Sequence, residues 1–251
     1  MDTSLPLADE FWLSAHNRPD GYSLLKDRAL GIGLGTALLA ELLWVDHIRL
    51  SDGLLFLTGA PWPADDALFE LLVLMYEEEQ LLPRHGPAGQ KVIDWISFLA
   101  GDGPDRARSL LEGTLQGGRY APGREIGSSY AGGRIIHRGR LSRRNPPLAI
   151  PHQRRSLLGR GAWVHVPAHI NDAGWPSARI TTTLQRGEPL DAHHLTLAAL
   201  YIVTGLDRDT LNPLTSGERA MLQDQLIYLP AVLGELIDHA GSVMSKQVMT
   251  G

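Results

Sequence analysis

Apolar positions recur at helical spacing through most of the chain, separated by short polar or glycine-rich stretches. This pattern favours helices over strands, because strands would show alternation with a period of two. It predicts helices over residues 7–16, within 24–45, and over 64–82, 89–101, 104–118, 190–206 and 216–244, the last with a break near Pro230.

Two shorter stretches favour β structure. Apolar runs flank Ser51-Asp52-Gly53, and Asp-Gly between such runs is a strong signal for a two-residue hairpin. Residues 162–170 resemble a strand that Pro167 limits to an edge or an end. We therefore expect a mainly α protein, a single domain over residues 1–251, carrying one or two β-hairpins.

The stretch GIGLGTALLAELLW, residues 31–44, allows three interpretations. A dinucleotide-binding loop would need a strand before it and glycine at the position of Thr36, and both are missing. A membrane span would need about 20 apolar residues, whereas Thr36 and Glu41 interrupt this run. The favoured interpretation is a core helix whose glycines permit close packing, at a cost of about 1 kcal/mol each relative to alanine.

Composition sets limits on function. The chain has 251 residues, of which 43% are hydrophobic and 20% charged, as in an ordinary globular protein. It contains no cysteine, which excludes disulfides, thiolate metal sites and cysteine nucleophiles. The first residues are acidic where a signal peptide would be basic, so we expect a cytoplasmic protein that can lie peripherally on the inner membrane face.

The net charge of −5 conceals a strong asymmetry. The arginine segment, residues 119–160, holds ten arginines, no lysine and the single acid Glu125, for a charge of +9. The rest of the chain therefore carries −14. Such a block is typical of an interaction surface, with a solvated loop as the plain alternative.

Arginine in place of lysine favours forked binding of phosphate or carboxylate. We expect Arg138, Arg140, Arg143 and Arg144 to contact phosphate, supported by Arg154 and Arg155. Ile135, Ile136 and Leu141 would add apolar contact. The expected partner is an anionic membrane surface or an acidic protein. An acidic face of a second protomer is an alternative, and nucleic acid is not the expected partner although the same charges would attract it.

An enzyme hypothesis starts from DDALFE, residues 65–70. Asp65, Asp66 and Glu70 have the D-D-x-x-x-E spacing with which terpene synthases hold Mg²⁺ against a diphosphate, and carboxylate oxygens suit that cation. This alternative is a small-molecule enzyme of secondary metabolism acting on prenyl diphosphates. No second acidic metal motif follows, so we expect a binding protein without a cofactor.

The order of several segments resembles the Golgi phosphoprotein 3 family, in a branch like that of actinobacteria. The similar stretches are GLGTALLAELLWVDHIRL, ADDALFELL, VIDWISFLAG, ARSLLEGTLQGG and LDAHHLTLAALYIVTGL. They occur in the same order as in the family, and the resemblance covers about two thirds of the chain. The resemblance implies a mainly helical domain peripheral to membranes. Eukaryotic members recognise phosphatidylinositol 4-phosphate and link glycosyltransferases to coat machinery, which implies lipid binding and an adaptor role here.

The chain departs from the family at its headgroup site. Gly35 stands where the family has an arginine, and Lys26 where it has a tryptophan. Two further family arginines would fall near Pro104 and Ala107, and the adjacent Arg106 and Arg108 are the candidates for that role here. An insertion at about 126–160 holds most of the arginine segment. Lipid binding in this chain must therefore rest on different residues from those of the eukaryotic members, or be absent.

Overall fold

The protein is mainly helical over the residues that its computed structural model describes, which are 5–81, 89–100, 140–153 and 163–248. The helices are α1 Leu7–Ala15, α2 Asp27–Trp44, α3 Asp66–Leu81, α4 Val92–Leu99, α5 Arg140–Arg143, α6 Ile170–Gln185, α7 Ala192–Thr204, α8 Asp207–Thr210, α9 Ser216–Leu226 and α10 Ala231–Val248. The strands are β1 Ile48–Ser51, β2 Leu54–Leu57, β3 Gln90–Lys91, β4 Ala149–Gln153 and β5 Trp163–Pro167. The predicted mainly α class is confirmed.

Some predictions fall on other residues. The helix predicted over 104–118 lies outside the described residues. So do Arg106, Arg108, Arg138, Arg154 and Arg155, together with Ile135 and Ile136. The insertion at about 126–160 is described only over 140–153.

Helix α2 lies at the centre of the molecule. Every residue from Leu30 to Leu43 is buried, and α2 contacts α1, α4, α7 and α10. A helix that is apolar all round must be covered on all sides, which explains this position. Gly31, Gly33 and Gly35 lie inside α2 and not at its N-terminus, so the core-helix interpretation is confirmed and the phosphate loop is excluded.

The α2 glycines allow neighbouring helices to approach closely. A methyl group on Gly33 would overlap the ring of the fully buried Phe11 in α1. A methyl group on Gly35 would lie 2.8 Å from Leu99 Cβ in α4. The position at which the family carries a headgroup arginine is therefore closed by core packing in this chain.

Gly33→Ala is expected to lower the free energy of unfolding by about 1–3 kcal/mol, because the buried ring of Phe11 has little room to move. Gly234→Ala, in α10, is the matched control, since a methyl group there would meet nothing within 4 Å. The control should gain up to about 1 kcal/mol from helix propensity. Urea unfolding of both variants measures the difference, and equal stability would contradict the close approach of α1 and α2.

The predicted hairpin is confirmed as β1–β2, with Ser51 opposite Leu54. Asp52 and Gly53 both have positive φ, at 53° and 72°, as a type I′ turn requires. The Gly53 N–H donates to Glu235 Oε1 of α10 at 2.6 Å, which ties the turn to the C-terminal helix. Strand β3, which was not predicted, pairs with β2 and leads directly into α4.

The helices of the C-terminal half begin and end at residues that carry capping signals in the sequence. The Asp191 side chain accepts from the His194 N–H at the start of α7, and Gly205 ends that helix with φ 78°. Thr215 and Glu218 form a capping box at α9. The predicted break near Pro230 separates α9 from α10. Helix α6 was not predicted, because its polar first half contains Pro176.

The second sheet is the hairpin β4–β5, in which Ala149 lies opposite Pro167. It confirms the strand predicted over 162–170. Residues 140–148 connect it to the helical core, where Leu141 is fully buried. The prediction that Leu141 adds apolar contact to a lipid surface is therefore wrong, because its side chain belongs to the core.

Candidate functional site

The side chain of Arg140 is the centre of a buried ion-pair cluster. Its Nε lies 2.7 Å from Asp9 Oδ1, and its two terminal nitrogens lie 2.7 Å and 3.1 Å from the two oxygens of Glu41. Asp65 Oδ1 lies 3.4 Å from one of the terminal nitrogens of Arg140. Arg140 is 6% exposed, so its guanidinium faces the protein's own carboxylates, and it anchors residues 140–148 to the helical body.

The carboxylates of this cluster come from the ends and interior of apolar helices. Asp9 lies in the first turn of α1 and is fully buried. Glu41 lies in α2, and its Oε1 accepts the Ala8 N–H at 2.8 Å. Both acids therefore lie at the positive end of the α1 dipole, which stabilises negative charge. Asp65 Oδ1 also accepts the N–H groups of Ala67 and Leu68 and so caps α3.

Burial shifts the protonation equilibria of the cluster. Removal from water raises the pKa of Asp9 from 3.8 to about 6, and this effect outweighs the opposing charges of Arg140 and Arg144. Burial alone would lower the pKa of Arg140, but the charges of Glu41 and Asp9 raise it above its ordinary value. Arg140 therefore stays charged, and the pKa of Asp9 lies well above the ordinary value of an aspartate.

Arg143 and Arg144 follow the anchor and reach the surface. The Arg143 side chain is 36% exposed and pairs with the exposed Asp66 at the start of α3. The Arg144 side chain is 33% exposed, and its Nε lies 3.2 Å from Asp9 Oδ2. Of the four arginines expected to contact phosphate, Arg140 thus points inward, Arg143 and Arg144 lie at the boundary with solvent, and Arg138 is outside the described residues.

A second buried acid lies beside the cluster. Glu10 is 1% exposed, and its carboxylate pairs with Arg179 of α6 at 3.3 Å and with His193 of α7 at 3.0 Å. The ring of His193 stacks on the partly exposed Trp44 at 5.5 Å. This group fastens α1 to α6 and α7.

The Mg²⁺ interpretation is not supported. Asp65 and Asp66 face Arg140 and Arg143, which compensate their charge. In the part of the chain that the structure describes, no group of three or more histidines, aspartates and glutamates is arranged to hold a metal ion. The structure therefore gives no support to a diphosphate site at Asp65, Asp66 and Glu70.

Sequence reasoning did not single out Asp9, Glu10 and Glu41 as site residues. The available signal was their setting, since each is an acid within a strongly apolar helix, in LADEFWLSA or LLAELLW. A buried acid needs a cationic partner. The same rule identifies a source for that partner, because the arginine segment is the part of the sequence with a large excess of positive charge.

Together the fold and the site define a helical domain on which an arginine-bearing segment is anchored by a buried guanidinium. The Golgi phosphoprotein 3 (GPP34) family model matches residues 7–235, and the chain belongs to this family. No curated protein matches the chain. Among the helices of the described ranges, none is both long enough and apolar enough to cross a bilayer.

Proposed function

We propose that this chain is a peripheral binding protein that docks reversibly on an anionic phospholipid surface through its arginine segment. The observation that carries the proposal is the placement of Arg143 and Arg144 at the surface directly after the buried anchor Arg140. Membership of the Golgi phosphoprotein 3 family supports a lipid-binding adaptor. The anchor holds residues 140–148 against a body whose sequence is otherwise acidic.

The ion pair of Arg143 leaves this side chain available to a phosphate. Both Arg143 and Asp66 are substantially exposed, and exposed ion pairs contribute about 0–1 kcal/mol. An arginine near an anionic membrane contributes on the order of 1 kcal/mol. A dense array of lipid phosphates can therefore replace Asp66 as the partner of Arg143 at little cost.

The rest of the segment supplies the remaining attraction. Arg138, Arg154 and Arg155 are its further phosphate contacts in this proposal, with Ile135 and Ile136 adding apolar contact. Arg106 and Arg108, which lie next to the positions of two family arginines, complete the set in this proposal. If about half of the ten arginines in residues 119–160 reached the membrane, the attraction would sum to about 5 kcal/mol, enough for reversible recruitment.

Vesicle flotation tests the proposal. The chain should float with phosphatidylcholine vesicles that contain phosphatidylglycerol or a phosphatidylinositol phosphate, and not with phosphatidylcholine alone. Binding should weaken from low to high salt, since screening shortens the reach of the charges. Arg143→Gln with Arg144→Gln should lower the vesicle affinity about fivefold or more, because each lost contact contributes about 1 kcal/mol.

The matched control is Arg186→Gln with Arg208→Gln, which removes the same charge from exposed positions at the C-cap of α6 and on α8. This control should bind nearly as the original chain does. Arg140 is kept in every variant because it anchors the segment. Equal binding to neutral vesicles would reject the electrostatic mechanism, and equal loss in both double variants would show that only net charge matters.

A further inference from the structure

Asp9 holds an unusual position between the anchor and the surface. One of its oxygens, Oδ1, accepts from Arg140, and the other, Oδ2, faces Arg144. Oδ2 is buried without a hydrogen bond, since the Arg144 Nε–H at 3.2 Å is not aligned with it. A buried carboxylate oxygen without a donor is poorly compensated as an anion, so it is the atom at which a proton would be held.

The two arginines depend on Asp9 to different degrees. Arg140 also pairs with both oxygens of Glu41 and with Asp65, so it keeps its partners when Asp9 is neutral. Among the described residues, the carboxylate that lies against Arg144 is that of Asp9. Neutralising Asp9 therefore removes the charge that holds Arg144 to the body and leaves the anchor in place.

We propose that Asp9 and Arg144 form a proton-operated latch, in which protonation of Asp9 Oδ2 breaks the ion pair and frees Arg144 for an anionic phosphate. The latch deepens the proposed function and rests on it for its consequence at a membrane. One proton is taken from solvent, one ion pair is lost and no covalent bond other than the new O–H changes. Acidification would thus strengthen vesicle binding beyond what the added histidine charge explains.

The charged neighbours of Asp9 support this assignment. Glu41 faces it from α2, where its negative charge favours the protonated form, and Arg140 and Arg144 oppose protonation. Asp65 reaches the cluster through Arg140. From α6 and α7, Arg179 and His193 face Glu10, the neighbour of Asp9 along α1. Burial outweighs the two arginines and raises the pKa of Asp9 to about 6, within the range where a modest change in pH operates the latch.

Flotation at about pH 5.5 and 7.5 measures the latch, with phosphatidylglycerol vesicles whose phosphate stays ionised over this range. The original chain should bind about threefold to fivefold more tightly at the lower pH than histidine protonation alone accounts for. Asp9→Asn should bind at pH 7.5 as tightly as the original chain at pH 5.5, apart from that histidine contribution. Arg144→Gln measures the histidine contribution directly, because it lacks the arginine that is released.

A second readout does not depend on lipid. The Arg144 Nε–H resonance, followed by ¹⁵N NMR, should shift with a midpoint near pH 6 in the original chain and stay unchanged in Asp9→Asn. If vesicles bind and neither readout depends on Asp9, the latch is overturned and the lipid proposal stands. If no vesicle binds, the lipid proposal fails, and the NMR titration alone decides the latch. If Asp9→Asn does not fold, comparison of the original chain with Arg144→Gln decides between these outcomes.

Discussion

Arg140→Ala is expected to lower the free energy of unfolding by about 3–5 kcal/mol, a larger loss than that expected for Gly33→Ala. The reason is that Asp9 and Glu41 stay behind as buried carboxylates without the guanidinium that compensates them. The loss should exceed that from cutting an exposed pair, because a buried charge recovers little solvation when its partner is removed. Urea unfolding at about pH 7.5, followed by circular dichroism, measures the change.

Two comparisons separate charge from packing. Arg143→Ala cuts the exposed pair with Asp66 and should cost less than about 1 kcal/mol. Arg140→Met combined with Asp9→Asn and Glu41→Gln should recover much of the loss of Arg140→Met alone, because the buried charges are then gone. A cost near that of Arg143→Ala would show that the cluster is open to water in solution, contrary to the structure.

The second large effect is a dependence of stability on pH. The folded-state pKa of Asp9, about 6, lies above its unfolded value of 3.8. Between these pH values Asp9 holds a proton in the folded state but not in the unfolded state. The stability that this proton contributes is therefore fully present below about pH 4 and is lost as the pH rises through about 6. Relative to Asp9→Asn, the original chain should lose about 3 kcal/mol of stability across this window.

The informative quantity is the difference in unfolding free energy between the original chain and Asp9→Asn, because the other acids and the ten histidines are present in both. Unfolding free energies at several pH values between about 4 and 7.5 provide it. A difference that stays constant over the window would mean that Asp9 keeps its ordinary pKa. A difference of the opposite sign would mean that Arg140 and Arg144 outweigh burial at this carboxylate.

Much of the helical architecture could be predicted from the sequence, because most helices carry a strong local signal. The predicted helices at 7–16, 24–45 and 64–82 match α1, α2 and α3 to within a few residues. The Asp52-Gly53 turn likewise fixes its hairpin through backbone conformation alone. Helix α6 has a weak signal, because the stripe of Ala173, Ile180 and Leu184 that it buries is interrupted by Pro176 and polar residues.

The candidate site was predictable only in part. Its excess of arginine is a property of composition and is visible without a structure. Which arginine turns inward is decided by contacts between residues far apart in sequence, which no local pattern encodes. Arg140 and Arg143 lie three positions apart, yet one is enclosed by Asp9 and Glu41 and the other pairs at the surface.

The family resemblance predicted the fold correctly but did not predict the residues of the site. Gly35 packs against Leu99, so position 35 does not supply the headgroup arginine that the resemblance to eukaryotic members implies there. The enzyme hypothesis had a comparable weakness, because a spacing of acids on a helix start also serves capping and ion pairing. Asp65 does both, through the N–H groups of Ala67 and Leu68 and through Arg140.

The sequence distance spanned by the Arg140 anchor has a consequence for biosynthesis. Asp9 and Arg140 are separated by 131 positions, so on a ribosome adding about 5–20 residues per second the acid emerges on the order of ten seconds before its cation. If α1 and α2 packed together during that interval, Asp9 and Glu41 would have to be buried without that cation. We expect their final docking to wait for the middle of the polypeptide, which makes the N-terminal helices clients for chaperones that shield apolar surface during translation.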